Sequence, residues 1–165
     1  MERKPEWLRV RYNQKAVAEV AQLLGELRLN TVCKEANCPN LGECYRKHTA
    51  TFMILGSQCT RNCRFCSVTP GHPQPPDPEE PENVAAAAKK LGLRHVVLTC
   101  PTRDDLPDGG AEQFAQTVRA IRRACPGATV ETLISDMQMN TAALDAVIEA
   151  RPEVLNHNVE TVRAL

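Results

Sequence analysis

Three cysteines lie close together in the segment Cys59-Thr-Arg-Asn-Cys63-Arg-Phe-Cys66, separated by three and then two other residues. Three thiolates on one tight loop can bind three irons of a 4Fe–4S cluster, whereas complete ligation by cysteine needs four. The remaining iron would keep an open position, and an open position on a metal is where a substrate or cofactor binds. This spacing predicts that Cys59, Cys63 and Cys66 are metal ligands of a catalytic iron–sulfur site.

Zinc is the alternative metal for such a loop. Zinc sites usually show paired Cys-x-x-Cys units or added histidines. Only Cys63 and Cys66 form such a pair, and the nearest histidine after them is His72. The spacing therefore favours an iron–sulfur cluster, and a zinc-binding structural domain is kept as an alternative.

The chain contains eight cysteines, so the expected compartment decides how they are interpreted. The N-terminal residues Met1-Glu2-Arg3-Lys4 are not followed by an apolar run, which argues against a secretory signal. No stretch approaches the roughly 20 apolar residues of a membrane span. We therefore expect a cytoplasmic protein, in which clustered cysteines bind metal rather than form disulfides.

The composition excludes some classes of partner. Apolar residues make up 42% of the chain, and twenty basic residues balance twenty acidic ones. A neutral chain gives no reason to expect nucleic acid or an anionic membrane as partner. Aromatic residues are scarce, at 4%, which argues against a base-stacking surface.

From residue 51 onward, short apolar runs alternate with helical patterns. Strands are predicted at 52–55, 96–98, 129–134 and 154–155, with amphipathic helices between them. Strands separated by helices imply parallel βα units, and near-continuous apolar strands fit a sheet covered on one side by helices. The predicted fold class is α/β, a partial (βα) TIM-like barrel of about four βα units spanning 51–165.

Residues 1–50 are predicted to form an N-terminal extension without a sheet element. Val17, Val20, Leu24 and Leu27 follow helical spacing, which predicts a short amphipathic helix there. Six prolines in residues 70–81 predict an extended, semi-rigid linker. Because about four βα units cannot close a barrel, we expect the chain to be a fragment or a truncated form of a larger protein.

The first cysteine triple, placed after a strand at the start of βα units, resembles the hallmark of the radical S-adenosylmethionine (SAM) superfamily. The resemblance implies that the open iron binds the amino and carboxylate groups of SAM. It also implies that one electron from the cluster splits SAM into methionine and a 5′-deoxyadenosyl radical, which abstracts hydrogen from the substrate.

A second triple, Cys33, Cys38 and Cys44, has spacings of four and then five residues. It resembles the auxiliary-cluster motif of the lipoyl synthase family, as do the segments 5–11, 31–33, 49–54, 103–111 and 156–161. The resemblance implies a sulfurtransferase that holds two 4Fe–4S clusters, with all six cysteines taking part in catalysis. It inserts two sulfur atoms, at carbons six and eight of an octanoyl chain, and the auxiliary cluster is consumed as their source.

The same resemblance implies partners. The octanoyl chain is carried on a lysine of a lipoyl domain or of the glycine-cleavage carrier protein, and an electron donor such as flavodoxin or ferredoxin supplies the electrons. In the family, the C-terminal half carries an Arg-Ser-Ser-Tyr motif whose serine is the fourth ligand of the auxiliary cluster. We therefore expect this chain to lack activity by itself.

In barrel folds, functional residues gather at the C-terminal ends of the strands. On this basis and on the resemblance, we expect SAM to be contacted there by residues with stacking, hydrogen-bonding or backbone-exposing roles: Phe65, Asp105, Gly109, Gly110, Asn156, Asn158 and Glu160. The two glycines are equally compatible with an ordinary turn before a helix, and Asn158 and Glu160 with capping of the following helix. Cys100 and Cys125 are predicted to be small packing residues.

One rival function belongs to a different class. A ferredoxin-like electron-transfer module would also hold two iron–sulfur clusters, but it has no use for an open iron or for a barrel face. Binding of SAM discriminates between the two hypotheses.

Overall fold

The computed structural model describes residues 14–35, 43–44, 49–159 and 162. The helices are α1 (Gln14–Glu26), α2 (Val32–Glu35), α3 (Glu80–Lys90), α4 (Ala111–Ala124) and α5 (Thr141–Glu149). The strands are β1 (Asn30–Thr31), β2 (Thr49–Met53), β3 (Gln58–Cys59), β4 (Thr69–Pro70), β5 (His95–Thr99), β6 (Thr129–Ile134) and β7 (Val154–His157).

The main sheet runs in the order β1-β2-β5-β6-β7. Strands β2, β5, β6 and β7 are parallel neighbours, with Thr51 opposite Val97 and Val97 opposite Glu131. Helix α4 connects β5 to β6, and helix α5 connects β6 to β7, as parallel neighbours require. The predicted α/β class and the βα repeat are therefore confirmed.

One face of this sheet is buried beneath the helices. Burial alternates along β5, where Val96 and Leu98 are inaccessible while their neighbours are partly exposed. Val130 of β6 continues the buried face, which packs in one core with Phe114 and Val118 of α4. Each such side chain contributes about 1.5–3 kcal/mol through burial. The prediction of helices on one side of the sheet is correct.

The N-terminal segment contains a strand that was not expected. Strand β1 pairs antiparallel with β2, with Asn30 opposite Met53 and Thr31 opposite Phe52. The expectation of no sheet element before residue 51 is therefore wrong, because two polar residues give no apolar run that would predict a strand. Helix α1 forms as predicted, and Val20 and Leu24 bury its apolar face in the core.

Strand β2 ends earlier than the apolar run that predicted it. Ile54 and Leu55 are buried, but Leu55 has a φ of 67° and the following Gly56 a φ of 91°. A left-handed residue cannot continue a strand, so the chain turns away from the sheet at Leu55. The apolar character of the two residues serves the core rather than the strand.

The proline-rich segment begins in a second, small sheet. Strand β4 pairs parallel with β3, and Gly71 donates its N–H to the carbonyl of Cys59 at 2.9 Å. Further along, the carbonyl of Gln74 accepts a hydrogen bond from Arg103 at 3.0 Å. The segment is thus tied to the loops at the carboxyl edge of the main sheet, which goes beyond the predicted linker.

Among the residues that the structure describes, no helix is long and apolar enough to cross a membrane.

Candidate functional site

The three cysteines of the first triple lie in one loop, residues 57–68, which we call the cluster loop. The base of this loop is Leu55, where the chain leaves the carboxyl end of β2. The N–H of Leu55 donates to both carboxylate oxygens of Glu80, at 3.1 and 2.9 Å, and its carbonyl accepts from Nη1 of Arg103 at 3.0 Å. Both polar groups of this left-handed residue are therefore held by side chains from other elements.

Glu80 and Arg103 are charged residues inside the core, with only 6% and 1% of their surface exposed. Buried charges persist where they are paired and hydrogen-bonded. Arg103 donates to both oxygens of Asp105 at 2.8 Å, and the amide of Gln113 donates to Glu80 at 2.9 Å. Burial raises the pKa of Glu80, while the hydrogen bond from Arg103 lowers the pKa of Asp105. This network fixes the base of the cluster loop.

The cysteines themselves are accessible. Cys59 is half-buried, Cys63 and Cys66 are exposed, and all three are free thiols. The N–H groups of Arg61 and Val68 point at the sulfurs of Cys59 and Cys66, at 3.4 and 3.5 Å. Backbone N–H groups directed at sulfur stabilise cluster-bound thiolates and tune their potential. The donor set and its surroundings therefore fit an iron–sulfur cluster.

The described part of the chain contains no group of three or more His, Cys, Asp or Glu side chains placed to hold a single metal ion. A 4Fe–4S cluster does not need its thiolates to converge on a single ion, since each thiolate binds a different iron.

Arg61 is a residue of this site that the sequence interpretation missed. Its guanidinium donates two hydrogen bonds of 2.8 Å to Asp104 and two more of 2.8 Å to Asp136. The bonds to Asp104 and then Asp136 raise the pKa of Arg61 further, and Arg61 lowers the pKa of Asp136 to about 2. The available signal was position, since both aspartates follow strands whose carboxyl ends meet at one edge of the sheet.

Two cysteines of the second triple fall on described residues. Cys33 lies in α2, directly after the strand β1 that pairs with β2, and it is half-buried. Cys44 is also half-buried, and Cys38 lies outside the described residues. The auxiliary cluster on these three residues stays a prediction.

The residues predicted to contact SAM occupy several places at the carboxyl edge. Phe65 of the cluster loop is 69% exposed, and Asp105 is engaged by Arg103. Asn156 donates to a carboxylate oxygen of Glu131 at 2.6 Å. Asn158 is exposed, and Glu160 lies outside the described residues. Their contacts with SAM stay predictions.

Gly109 and Gly110 both have left-handed backbones, with φ of 59° and 92°. A Cβ on Gly110 would lie 2.2 Å from Cδ1 of Leu55, and one on Gly109 would lie 3.2 Å from Cα of Met137. The turn before α4 therefore needs glycine for backbone conformation and close packing. This packing reason stands beside the predicted approach to SAM, which stays a prediction.

The two remaining cysteines pack against the core. Burial raises the pKa of the Cys100 thiol to about 12 and also raises that of Cys125. A thiol with a raised pKa supplies little thiolate for metal binding. The prediction that both are packing residues is confirmed.

Two clefts open at the carboxyl edge of the sheet, on either side of Met137 and Asn140. One, of about 370 Å³, is lined by residues that include Asp136, Leu144, Leu155 and Asn156. The other, of about 380 Å³, is lined by polar residues that include Asp104, Asp105 and Gln138. Crevices outside the carboxyl ends of parallel strands are where such sheets bind their ligands.

Comparison with known proteins identifies the family of the chain. A family model described as the radical SAM superfamily matches residues 53–164. The whole chain is also similar to proteins named lipoyl synthase. The identity is 58% to the protein of Caldanaerobacter subterraneus subsp. tengcongensis and 57% to that of Geobacter metallireducens, each over 163 residues and 99% of this chain. For Geobacter sulfurreducens the identity is 56%, again over 99% of this chain.

The chain spans only 54–58% of the length of these three relatives. The superfamily match is not limited in this way, because it runs from the end of β2 to beyond β7. It covers the cluster loop, strands β5, β6 and β7 and helices α3, α4 and α5, and the chain therefore belongs to the radical SAM superfamily.

Proposed function

We propose that this chain is the part of a lipoyl synthase that carries both cysteine triples. The observation that carries the proposal is the similarity to proteins of that name, at 52–58% identity over 95–100% of the chain. The cluster loop at the carboxyl end of the first parallel strand supports it. The proposed reaction inserts two sulfur atoms into an octanoyl group, at carbons six and eight.

Six thiolates would hold the metal in this proposal. Cys59, Cys63 and Cys66 would bind a 4Fe–4S cluster that leaves one iron open for SAM, and Cys33, Cys38 and Cys44 would bind an auxiliary 4Fe–4S cluster. When bound, the first cluster and SAM would supply the one-electron chemistry that breaks an unactivated C–H bond, and the auxiliary cluster would supply the sulfur that is inserted.

The protein's own contribution is positioning. Glu80 and Arg103 hold the backbone of Leu55 and so set the direction in which the cluster loop leaves the sheet. The N–H groups of Arg61 and Val68 hold the sulfurs of Cys59 and Cys66. The residues proposed to contact SAM remain Phe65, Asp105, Gly109, Gly110, Asn156, Asn158 and Glu160.

The proposed substrate is an octanoyl group on a lipoyl domain or on the glycine-cleavage carrier protein. The proposed electron donor is a small redox protein such as flavodoxin or ferredoxin. The cytoplasm is the proposed compartment, since thiolate ligands stay reduced there.

Metal loading tests the proposal on the chain itself. After anaerobic reconstitution with iron and sulfide, we expect about eight irons per chain, because two 4Fe–4S clusters assemble. Replacing Cys59, Cys63 and Cys66 together by alanine should leave about four irons, and the matched replacement of Cys33, Cys38 and Cys44 should also leave about four. Iron content that is unchanged in the first triple variant would contradict the assignment.

SAM then separates the enzyme from an electron carrier. Adding SAM to the reduced chain should change the electron paramagnetic resonance spectrum of the variant that keeps Cys59, Cys63 and Cys66. It should leave the other triple variant unchanged. A brown protein whose spectrum ignores SAM would favour the ferredoxin-like alternative, and a colourless metal-bound protein would favour zinc.

A further inference from the structure

The Arg61 clamp consists of Arg61, Asp104 and Asp136. Its four hydrogen bonds form two bidentate pairs, in which the guanidinium presents one edge to each carboxylate. Exposed ion pairs usually contribute little, but bidentate arginine–carboxylate geometry and networks are the exceptions. Here the three side chains are 36%, 32% and 39% exposed, so the clamp is partly shielded from water.

The clamp joins three segments that are distant in sequence. Arg61 lies between the first two cysteines of the cluster loop, 43 residues before Asp104 and 75 before Asp136. Asp104 follows β5, and Asp136 follows β6. One guanidinium therefore holds the cluster loop against the carboxyl ends of two neighbouring parallel strands.

The rest of the cluster loop is held mainly at its start. Thr60 donates its N–H and its hydroxyl to the carbonyl of Thr102, at 3.1 and 3.0 Å. Its hydroxyl also accepts from the N–H of Asp104 at 3.1 Å. Beyond Arg61, residues 62–67 are exposed. Arg61 is thus the last strongly held residue before Cys63 and Cys66.

The segment that supplies Asp136 is conformationally strained. Met137, Gln138 and Met139 have φ values of 44°, 52° and 61°. Left-handed backbone costs each such residue about 1–2 kcal/mol, and it persists where surrounding contacts impose it. Gln138 supplies two of them, donating its N–H to Asp136 at 3.1 Å and its amide to the carbonyl of Asp104 at 3.1 Å. The turn and the clamp therefore support each other.

We propose that Arg61 is a positioning residue, which holds the cluster loop in the conformation that accepts and retains the cluster of Cys59, Cys63 and Cys66. The inference rests on the proposed function. Arg61 acts in two ways that can be separated, since its planar fork fixes geometry and its charge offsets the two carboxylates that it binds at the base of this loop. Charge close to a cluster sets its reduction potential.

Three variants separate geometry from charge. Arg61→Gln removes both the fork and the charge, whereas Arg61→Lys keeps the charge but loses bidentate pairing. Arg64→Gln is the matched control, because Arg64 is an exposed arginine of the same loop that makes no ion pair within the described part of the chain. All variants are made in a parent chain in which Cys33, Cys38 and Cys44 are replaced by alanine, so that only one cluster can assemble. For each reconstituted chain, the rate of cluster loss to a chelator and the midpoint potential of the cluster are measured.

We expect Arg61→Gln to lose its cluster about threefold to tenfold faster than the parent, with Arg61→Lys intermediate and Arg64→Gln within about twofold. The midpoint potential should fall in Arg61→Gln and return toward the parent value in Arg61→Lys, because removing a positive charge near a cluster lowers its potential and lysine keeps that charge. In the cluster-free chain, amide exchange of residues 59–66 should accelerate in Arg61→Gln but not in Arg64→Gln.

The outcomes separate the inference from the function on which it rests. If the parent takes up a cluster and Arg61→Gln behaves like Arg64→Gln, the positioning role is overturned alone. If the parent takes up no iron, the proposed function is overturned and the inference with it. Should Arg61→Gln fail to fold, Asp104→Asn and Asp136→Asn each remove half of the clamp and must each accelerate cluster loss.

Discussion

Glu80 is one of the residues that hold the base of the cluster loop. Its carboxylate lies in the core and accepts hydrogen bonds from the N–H of Leu55 and from the amide of Gln113. Burial raises the pKa of Glu80, because the charged form loses hydration that its hydrogen-bond partners do not fully replace. A functional loop is therefore anchored by a carboxyl group whose pKa is raised by its burial.

This raised pKa predicts how stability depends on pH. The stabilisation from the protonated carboxyl is fully present below the ordinary glutamate value of 4.5 and is lost as pH rises through the higher folded value. In Glu80→Gln this dependence is absent. We therefore expect the unfolding free energy of Glu80→Gln, relative to the parent, to increase from about pH 4.5 to about pH 7.5.

Urea unfolding of the cluster-free chain measures the effect, with Glu149→Gln on the surface as the control for a lost negative charge. Glu80→Ala should instead lose about 1–3 kcal/mol at any pH in this range, because it leaves buried hydrogen-bond donors unpaired. A relative stability of Glu80→Gln that falls with pH would contradict the prediction.

At the scale of elements, the exit of β2 and the start of α4 are packed together. Gly110 precedes the first residue of α4, and its Cα faces the side chain of Leu55, the residue at which the chain leaves β2. The helix and the base of the cluster loop can be this close only because residue 110 has no Cβ. Two βα units are therefore joined at the edge that carries the proposed active site.

Gly110→Ala should destabilise the chain by about 2–4 kcal/mol, since it adds left-handed strain to an overlap with Leu55. Gly127→Ala is the matched control: a Cβ there meets nothing within 4 Å, so we expect a change within about 0.5 kcal/mol. Urea unfolding of the cluster-free chains gives both values. Equal stability of the two variants would show that the turn can rearrange.

At the scale of the whole molecule, the parallel strands bring the proposed chemistry to one edge. The cluster loop follows β2, the segment 100–110 follows β5, and the segment 135–140 follows β6. Barrel-type enzymes build their active sites at this end of the strands. The same edge carries the Arg61 clamp and both clefts.

The proposed division of labour between the clusters can be tested in a chimera. This chain would replace the matching segment of the lipoyl synthase of Caldanaerobacter subterraneus subsp. tengcongensis, to which it is 58% identical over 163 residues. We expect Cys63→Ala to abolish SAM cleavage, because the cluster can no longer deliver its electron. Cys38→Ala should retain some SAM cleavage and stop lipoyl formation, if its cluster is the sulfur donor as proposed.

Chromatography of 5′-deoxyadenosine and mass spectrometry of an octanoylated lipoyl domain measure the two steps. Cys125→Ala is the control, since Cys125 packs against the core and belongs to neither triple. Lipoyl product from the Cys38 variant would show that the sulfur comes from elsewhere.

Local sequence was sufficient for everything that depends on spacing along the chain. The bounds of β6, Thr129–Ile134, were predicted correctly because five of its six residues are apolar or β-branched. The cysteine triples were likewise found from their spacing along the chain, and their role as cluster ligands stays a prediction. The α/β class followed from the alternation of two periodicities, which needs no knowledge of distant contacts.

Only the tertiary structure decided the contacts between distant segments. Strand β1 exists because Asn30 and Thr31 meet an edge of β2, and nothing in two polar residues predicts that pairing. Glu80 is a core residue because Leu55, 25 residues away, presents an N–H to it. Arg61 meets Asp104 and Asp136 only after parallel pairing has aligned β2, β5 and β6. The free energy of such contacts depends on which groups folding brings together, and spacing along the chain does not contain that information.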